Sequence, residues 1–136
     1  MKRTEMTQKE KDKVQKKFES FKFYKYTNKD VNSVLKKENA IIAKSKIGAL
    51  SKYAEYFPLF FYMLKDTFSG KYKQLPIGTI SAIICSLLYV FSPIDIISDF
   101  IPIIGLIDDA FMISTCISYV CEDIENYKRW RNPELY

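Results

Sequence analysis

Apolar residues recur at helical spacing through the first part of the chain and then close up into an almost unbroken run. Residues 5–24, EMTQKEKDKVQKKFESFKFY, carry Val14, Phe18 and Phe21 about one turn apart among lysines, the pattern of a short amphipathic helix. TNKD at 27–30 breaks that helix and starts another, with Thr27 or Asn28 as its N-cap. A helix over about 30–45 then places Val31, Val34, Leu35, Ile41 and Ile42 on one face. A third helical stretch runs from Ser45 towards Asp66. Pro58 must kink or restart it, because proline deletes a backbone donor and clashes with the preceding turn. TFSGKYKQLP at 67–76 reads as a loop.

The periodicity disappears at Leu75. From there to Ile94 no residue is charged, in twenty consecutive positions. A helix of that length covers roughly 30 Å, the thickness of a bilayer's hydrocarbon core, so residues 75–94 are a candidate transmembrane helix. A helix buried inside a bundle would read the same way. A second apolar helix is predicted over Ala110–Val120, before CEDIENYKRW. It is too short for a regular span, and extending it back to Phe100 takes in Asp108 and Asp109. The fold class expected is therefore all-α. Basic amphipathic helices (1–45) precede a helical domain (46–126) built on an apolar hairpin (75–121), and a basic, aromatic tail (127–136) follows.

Charge sharpens this division. Residues 1–74 hold 18 Lys/Arg against 8 Asp/Glu, a net of +10, whereas residues 75–123 hold six acids and no Lys or Arg. The overall +5 describes neither half. A lysine-rich half attracts anionic lipid and nucleic acid by the same Coulomb term, and the neighbouring apolar block favours lipid. Cys85, Cys116 and Cys121 are odd in number and form no CxxC. They are expected as core or lipid-facing thiols of a reducing compartment, not as a disulfide framework. The chain has no His, so the commonest general base and metal ligand is missing. The charged N-terminus has no early apolar segment, and no secretory signal is expected.

The candidate functional region is the acidic bend SPIDIISDFIPIIGLIDD at 92–109, four aspartates without a single basic residue. Backbone needs account for part of it. Ser92 suits an N-cap, Pro93 the first helical position, and Asp95 the third position of a capping box. Asp95 and Asp99 are four apart and share a face of the short helix that follows, which Pro102 and Gly105 end. Asp108 or Asp109 can cap the next helix, where an acid also gains from the macrodipole. At the bilayer centre each carboxylate would cost ~2.5–3.5 kcal/mol. The bend must then sit at an interface, face a wet cavity, or share protons, a cation, or a Lys or Arg from the basic half. Asp95, Asp99, Asp108 and Asp109 folded together would suit Mg²⁺ or Ca²⁺, although no EF-hand spacing is present. No other cofactor is expected.

These residues carry a family resemblance. Tyr89, SPID at 92–95, Asp99, Phe100, Pro102, Gly105 and the Asp108–Asp109 pair resemble the signature of the YkvA-like family. That small domain of unknown function is widespread in bacteria and occurs as a membrane-embedded region in some eukaryotic ubiquitin ligases. MLKD at 63–66 resembles the LRD stretch that usually precedes the signature. The resemblance covers roughly residues 46–126. Ile97-Ser98-Asp99 stands where family members typically read IPD, so the short helix ends less rigidly. The resemblance implies a multi-pass or membrane-associated protein without established enzymatic activity, and it brings no catalytic role for the aspartates.

The function expected is that of a small membrane-associated, non-enzymatic accessory protein, regulatory or immunity-type. Its partners would be anionic lipid, and a protein partner or a second copy. Lys65, Lys71 and Lys73 before the hairpin and Lys128, Arg129 and Arg131 after it place both termini in the cytoplasm. Trp130, Tyr127 and Tyr136 suit an interfacial belt. Two alternatives are an ion- or proton-binding membrane component and a soluble bundle whose aspartates are caps. An enzyme ranks last, for want of His, a nucleophile triad or a phosphate loop. Nucleic-acid binding by Lys22, Phe23, Tyr24, Lys25 and Tyr26 is less simple than helix packing by the same aromatics.

Overall fold

The computed structural model describes residues 5–91 and 107–135. Six α-helices and two short 3-10 turns make up these parts of an all-α protein. α1 (Gln8–Lys22) opens on a capping box in which the Thr7 hydroxyl accepts from the Glu10 N–H and the Glu10 carboxylate accepts from the Thr7 N–H. It buries Val14, Phe18 and Phe21, the face that the spacing predicts. α2 (Asn28–Lys36) repeats the device with Thr27 and Asp30. Thr27→Ala is expected to cost about 1 kcal/mol, read as a lower urea midpoint at unchanged slope. The Thr27 N–H also holds the Asp30 carboxyl below its ordinary range. The stability from that pair is therefore present above the usual aspartate value and is lost as pH falls through the lowered one.

The helix expected over 30–45 is two helices. α2 ends at Lys36, Lys37 forms the joint, and α3 (Glu38–Lys44) follows. The stretch 45–66 likewise divides into a 3-10 turn (Gly48–Tyr53) and α4 (Tyr56–Phe68). Pro58 lies third in α4, inside the first turn, where a helix needs no N–H from it. Gly70 ends α4 at φ +85°, a left-handed conformation natural to glycine at this position.

α5 (Ile77–Phe91) is 15 residues long. At ~1.5 Å per residue it spans roughly 22 Å, short of a bilayer core. It is covered by protein: α1, α2, α3 and α6 all pack on it, and eleven of its residues are buried. Among the described residues no helix is long and apolar enough to cross a membrane. The expected transmembrane helix over 75–94 is thus not found among the described residues, which stop at Phe91; the described part of the run packs beneath the lysine-bearing helices α1 to α3 and against α6.

α6 (Ile107–Arg131) is one continuous helix of 25 residues, not an eleven-residue segment with a separate tail. Its packing face passes through Cys116, Val120, Ile124 and Tyr127, all buried. The hairpin with α5 is antiparallel. The Thr79 hydroxyl donates to Asp123 at 2.6 Å, near the start of α5 and late in α6. The Tyr89 hydroxyl donates to Asp108, near the end of α5 and the start of α6. α1 lies over the seam. The buried Ser81 hydroxyl contacts the carbonyls of Phe21 and Tyr24 at 2.6 and 2.7 Å, tying the end of α1 to α5. One apolar cluster runs through all six helices.

Candidate functional site

The acidic end of the hairpin is built where α5 stops and α6 starts. Ser92, Pro93, Asp95, Asp99, Pro102 and Gly105 lie outside the described residues. Asp108 and Asp109 lie inside α6, second and third in its first turn, so neither is the N-cap that the sequence suggests. Both carboxylates still face the positive end of the helix macrodipole.

Both are buried, 7% and 6% exposed, which requires partners because an unpaired charge in an apolar site is costly. Asp108 accepts a 3.1 Å hydrogen bond from Tyr89, a residue of the α5 core face. The Phe21 ring of α1 packs edge-on against Tyr89, with centroids 6.2 Å apart. Asp109 lies 3.8 Å from the Lys44 ammonium in the last turn of α3. Lys44 also donates to the Val90 carbonyl near the end of the described part of α5. Lys37 places its ammonium 4.8 Å from the centre of the Phe91 ring. Of the lysines of the basic half, Lys44 thus stands beside Asp109 and Lys37 over Phe91.

The metal expectation divides. Asp95 and Asp99 lie outside the described residues. Among the described residues no three His, Cys, Asp or Glu side chains converge as metal ligands, and Asp108 and Asp109 have Tyr89 and Lys44 beside them.

A second polar cluster was not legible as a site. Asp66, the acid of MLKD at the end of α4, accepts from Tyr127 at 2.5 Å and from Arg131 at 2.9 Å. Arg131 also donates to the Tyr127 hydroxyl and lies over the Tyr62 ring. Burial, then the hydrogen bond to Asp66, pushes the Tyr127 hydroxyl up to about 12. Tyr127 is fully buried against Tyr72 and Trp130 and so cannot belong to an interfacial belt. Trp130 is partly exposed, and Tyr136 lies outside the described residues. The signal for this cluster was a charged residue in a family-like motif, with nothing local to indicate its partners.

The two buried thiols are poor nucleophiles. Cys85 and Cys116 are buried, and burial raises them to about 11 and about 12, so both stay protonated at neutral pH. Cys121 is exposed. Cys85 lines an open, largely apolar groove of about 540 Å³ between α1 and α5, which reaches Tyr89.

Comparison with known proteins places this geometry. The family described as "protein of unknown function (DUF1232)" matches residues 79–115, from near the start of α5 into the first half of α6. The "uncharacterized membrane protein YkvA" of Bacillus subtilis (strain 168) is 31% identical over 80 residues, 59% of this chain and 76% of that protein. No solved structure matches the chain. With its signature acids at the head of α6 and most of that relative's length aligned, the chain belongs to the YkvA-like family.

Proposed function

We propose that the chain is a membrane-associated, non-enzymatic accessory protein, regulatory or immunity-type, that binds anionic lipid and acts through a protein partner or a second copy of itself. The observation that carries this reading is the relative named as a membrane protein, aligned over 80 residues. The fold supports a surface attachment. The lysine-rich helices α1 to α3 wrap the apolar α5, so the protein offers cationic side chains outward and keeps its apolar run inside. Such a surface meets the anionic cytoplasmic leaflet by Coulomb attraction. A non-enzymatic role is supported by the protonated thiols and by the absence of His from the sequence.

The alternative of an ion- or proton-binding component draws on the buried Asp109 carboxylate beside the partly exposed Lys44 ammonium.

Extraction of the full-length protein from membranes tests the reading. Release by high salt or alkaline carbonate is expected, because at 1 M salt the screening length falls to about 3 Å. Release by detergent alone would overturn surface attachment, and recovery without any treatment would overturn membrane association.

A further inference from the structure

We propose that the chain docks on anionic bilayers by one end of its bundle, with Phe23 and Ile77 entering the lipid and Lys25, Lys71 and Lys73 meeting the headgroups. This rests on the membrane-associated reading above and adds to it a face and an orientation.

Phe23 and Ile77 are the most exposed large apolar residues described, at 80% and 75%. They are 54 positions apart in sequence, yet the fold brings their segments together. Phe23 stands at the C-cap of α1 and Ile77 is the first residue of α5. The next residue, Gly78, lies so close to α1 that a Cβ there would be 3.6 Å from the Lys22 carbonyl. Ser81 then binds the carbonyls on either side of Lys22 and Phe23. Beside them, Tyr26 meets Phe68 edge to face at 5.9 Å, which adds the end of α4 to the same surface. Tyr24 and Phe68 are partly exposed there.

Charge selects the occupant. Lys25, Lys71 and Lys73 are exposed. The acids within the same segments are engaged: Asp30 with Thr27 and Tyr24, and Asp66 with Tyr127 and Arg131. Apolar side chains projecting from a cationic rim suit a headgroup layer above acyl chains. Duplex nucleic acid would draw on the lysines but gain nothing from a protruding isoleucine. The buried carboxylates Asp108 and Asp109 lie at the opposite end of the α5–α6 hairpin, where they would not face anionic lipid.

The test is cosedimentation of the full chain with vesicles of equal parts phosphatidylglycerol and phosphatidylcholine. Phe23→Ser with Ile77→Ser is expected to weaken binding about 10- to 100-fold. Lys25→Glu with Lys71→Glu and Lys73→Glu should do likewise. Ile47→Ser should bind as the parent does, since exposed Ile47 follows Lys44, which sits by Val90 at the far end of α5. All these positions are exposed, and melting temperatures measured alongside confirm folding. As a direct readout, Phe23→Trp in a Trp130→Phe background should be quenched by brominated lipid, and Ile47→Trp in that background should not. Parental binding by the Phe23/Ile77 variant, with quenching at position 47 instead of 23, would overturn this face and leave membrane association standing. Loss of binding by the lysine variant alone, together with equal affinity for duplex DNA, would mark a nonspecific cationic surface and also overturn it. Failure of the unaltered chain to bind vesicles would remove both readings.

Discussion

Replacing Lys44 with methionine is expected to lower the free energy of unfolding by roughly 2–4 kcal/mol, one of the two largest effects predicted for this protein. Methionine keeps most of the apolar stem and removes only the ammonium. Two consequences follow from its position. The Val90 carbonyl at the end of α5 loses the Lys44 donor, and the buried Asp109 keeps its negative charge without that cation 3.8 Å away. Removing the cation costs more than the pair contributes, because the buried carboxylate has already lost most of its water although Lys44 itself is partly exposed. Asp109→Asn should cost less, as it removes the charge and keeps the shape. The double variant should be less destabilised than the sum of the singles, since the second change removes the charge that the first exposed. Urea unfolding of the four proteins reads the cycle. A Lys44→Met protein within about 0.5 kcal/mol of the parent, the range of ordinary surface changes, would mean that Lys44 is merely adjacent.

That pair also shows where sequence reasoning stops. Spacing reports which residues share a face, and it located Val14, Phe18 and Phe21 of α1 and the Thr27 cap of α2 because those depend on neighbours in the chain. It cannot report what covers a face. Twenty uncharged residues from Leu75 look alike whether lipid or other helices surround them. The packing of α1, α2, α3 and α6 on the described part of α5 is a tertiary fact that the run itself does not announce. The same limit applies to the acids. Four aspartates without a local cation called for a distant partner, and charge balance pointed to the basic half. No local signal distinguishes Lys44 among its lysines. Its selection follows from α3 ending beside the last turn of α5, a tertiary fact. The break at Lys37 divides the helix expected over 30–45 and gives α3 its own start.

The second large effect belongs to Asp66. Asp66→Ala is expected to cost roughly 2–4 kcal/mol, because it removes the acceptor of a wholly buried tyrosine hydroxyl and the partner of Arg131 together. Tyr127→Phe should cost less, roughly 1.5–2 kcal/mol for a hydrogen bond to a charged acceptor, since Asp66 then keeps Arg131. The two also differ in their response to pH. In the folded protein, burial and the hydrogen bond to Asp66 hold the Tyr127 proton up to about 12, against an ordinary tyrosine value of about 10. A raised folded value means that the unfolded chain releases the proton first. The contribution is therefore complete below about pH 10 and is lost as pH rises from there towards about 12. Tyr127→Phe should flatten the stability profile in that window and leave it unchanged below. Some slope should remain, because burial also raises Tyr72, packed against the same ring. Urea midpoints at neutral and alkaline pH provide the measurement. An undiminished alkaline loss in Tyr127→Phe would assign that loss to other tyrosines. A flattened profile would assign the alkaline loss to Tyr127, and the larger cost of Asp66→Ala would identify the acid of MLKD as the residue that fastens α4 to the end of α6.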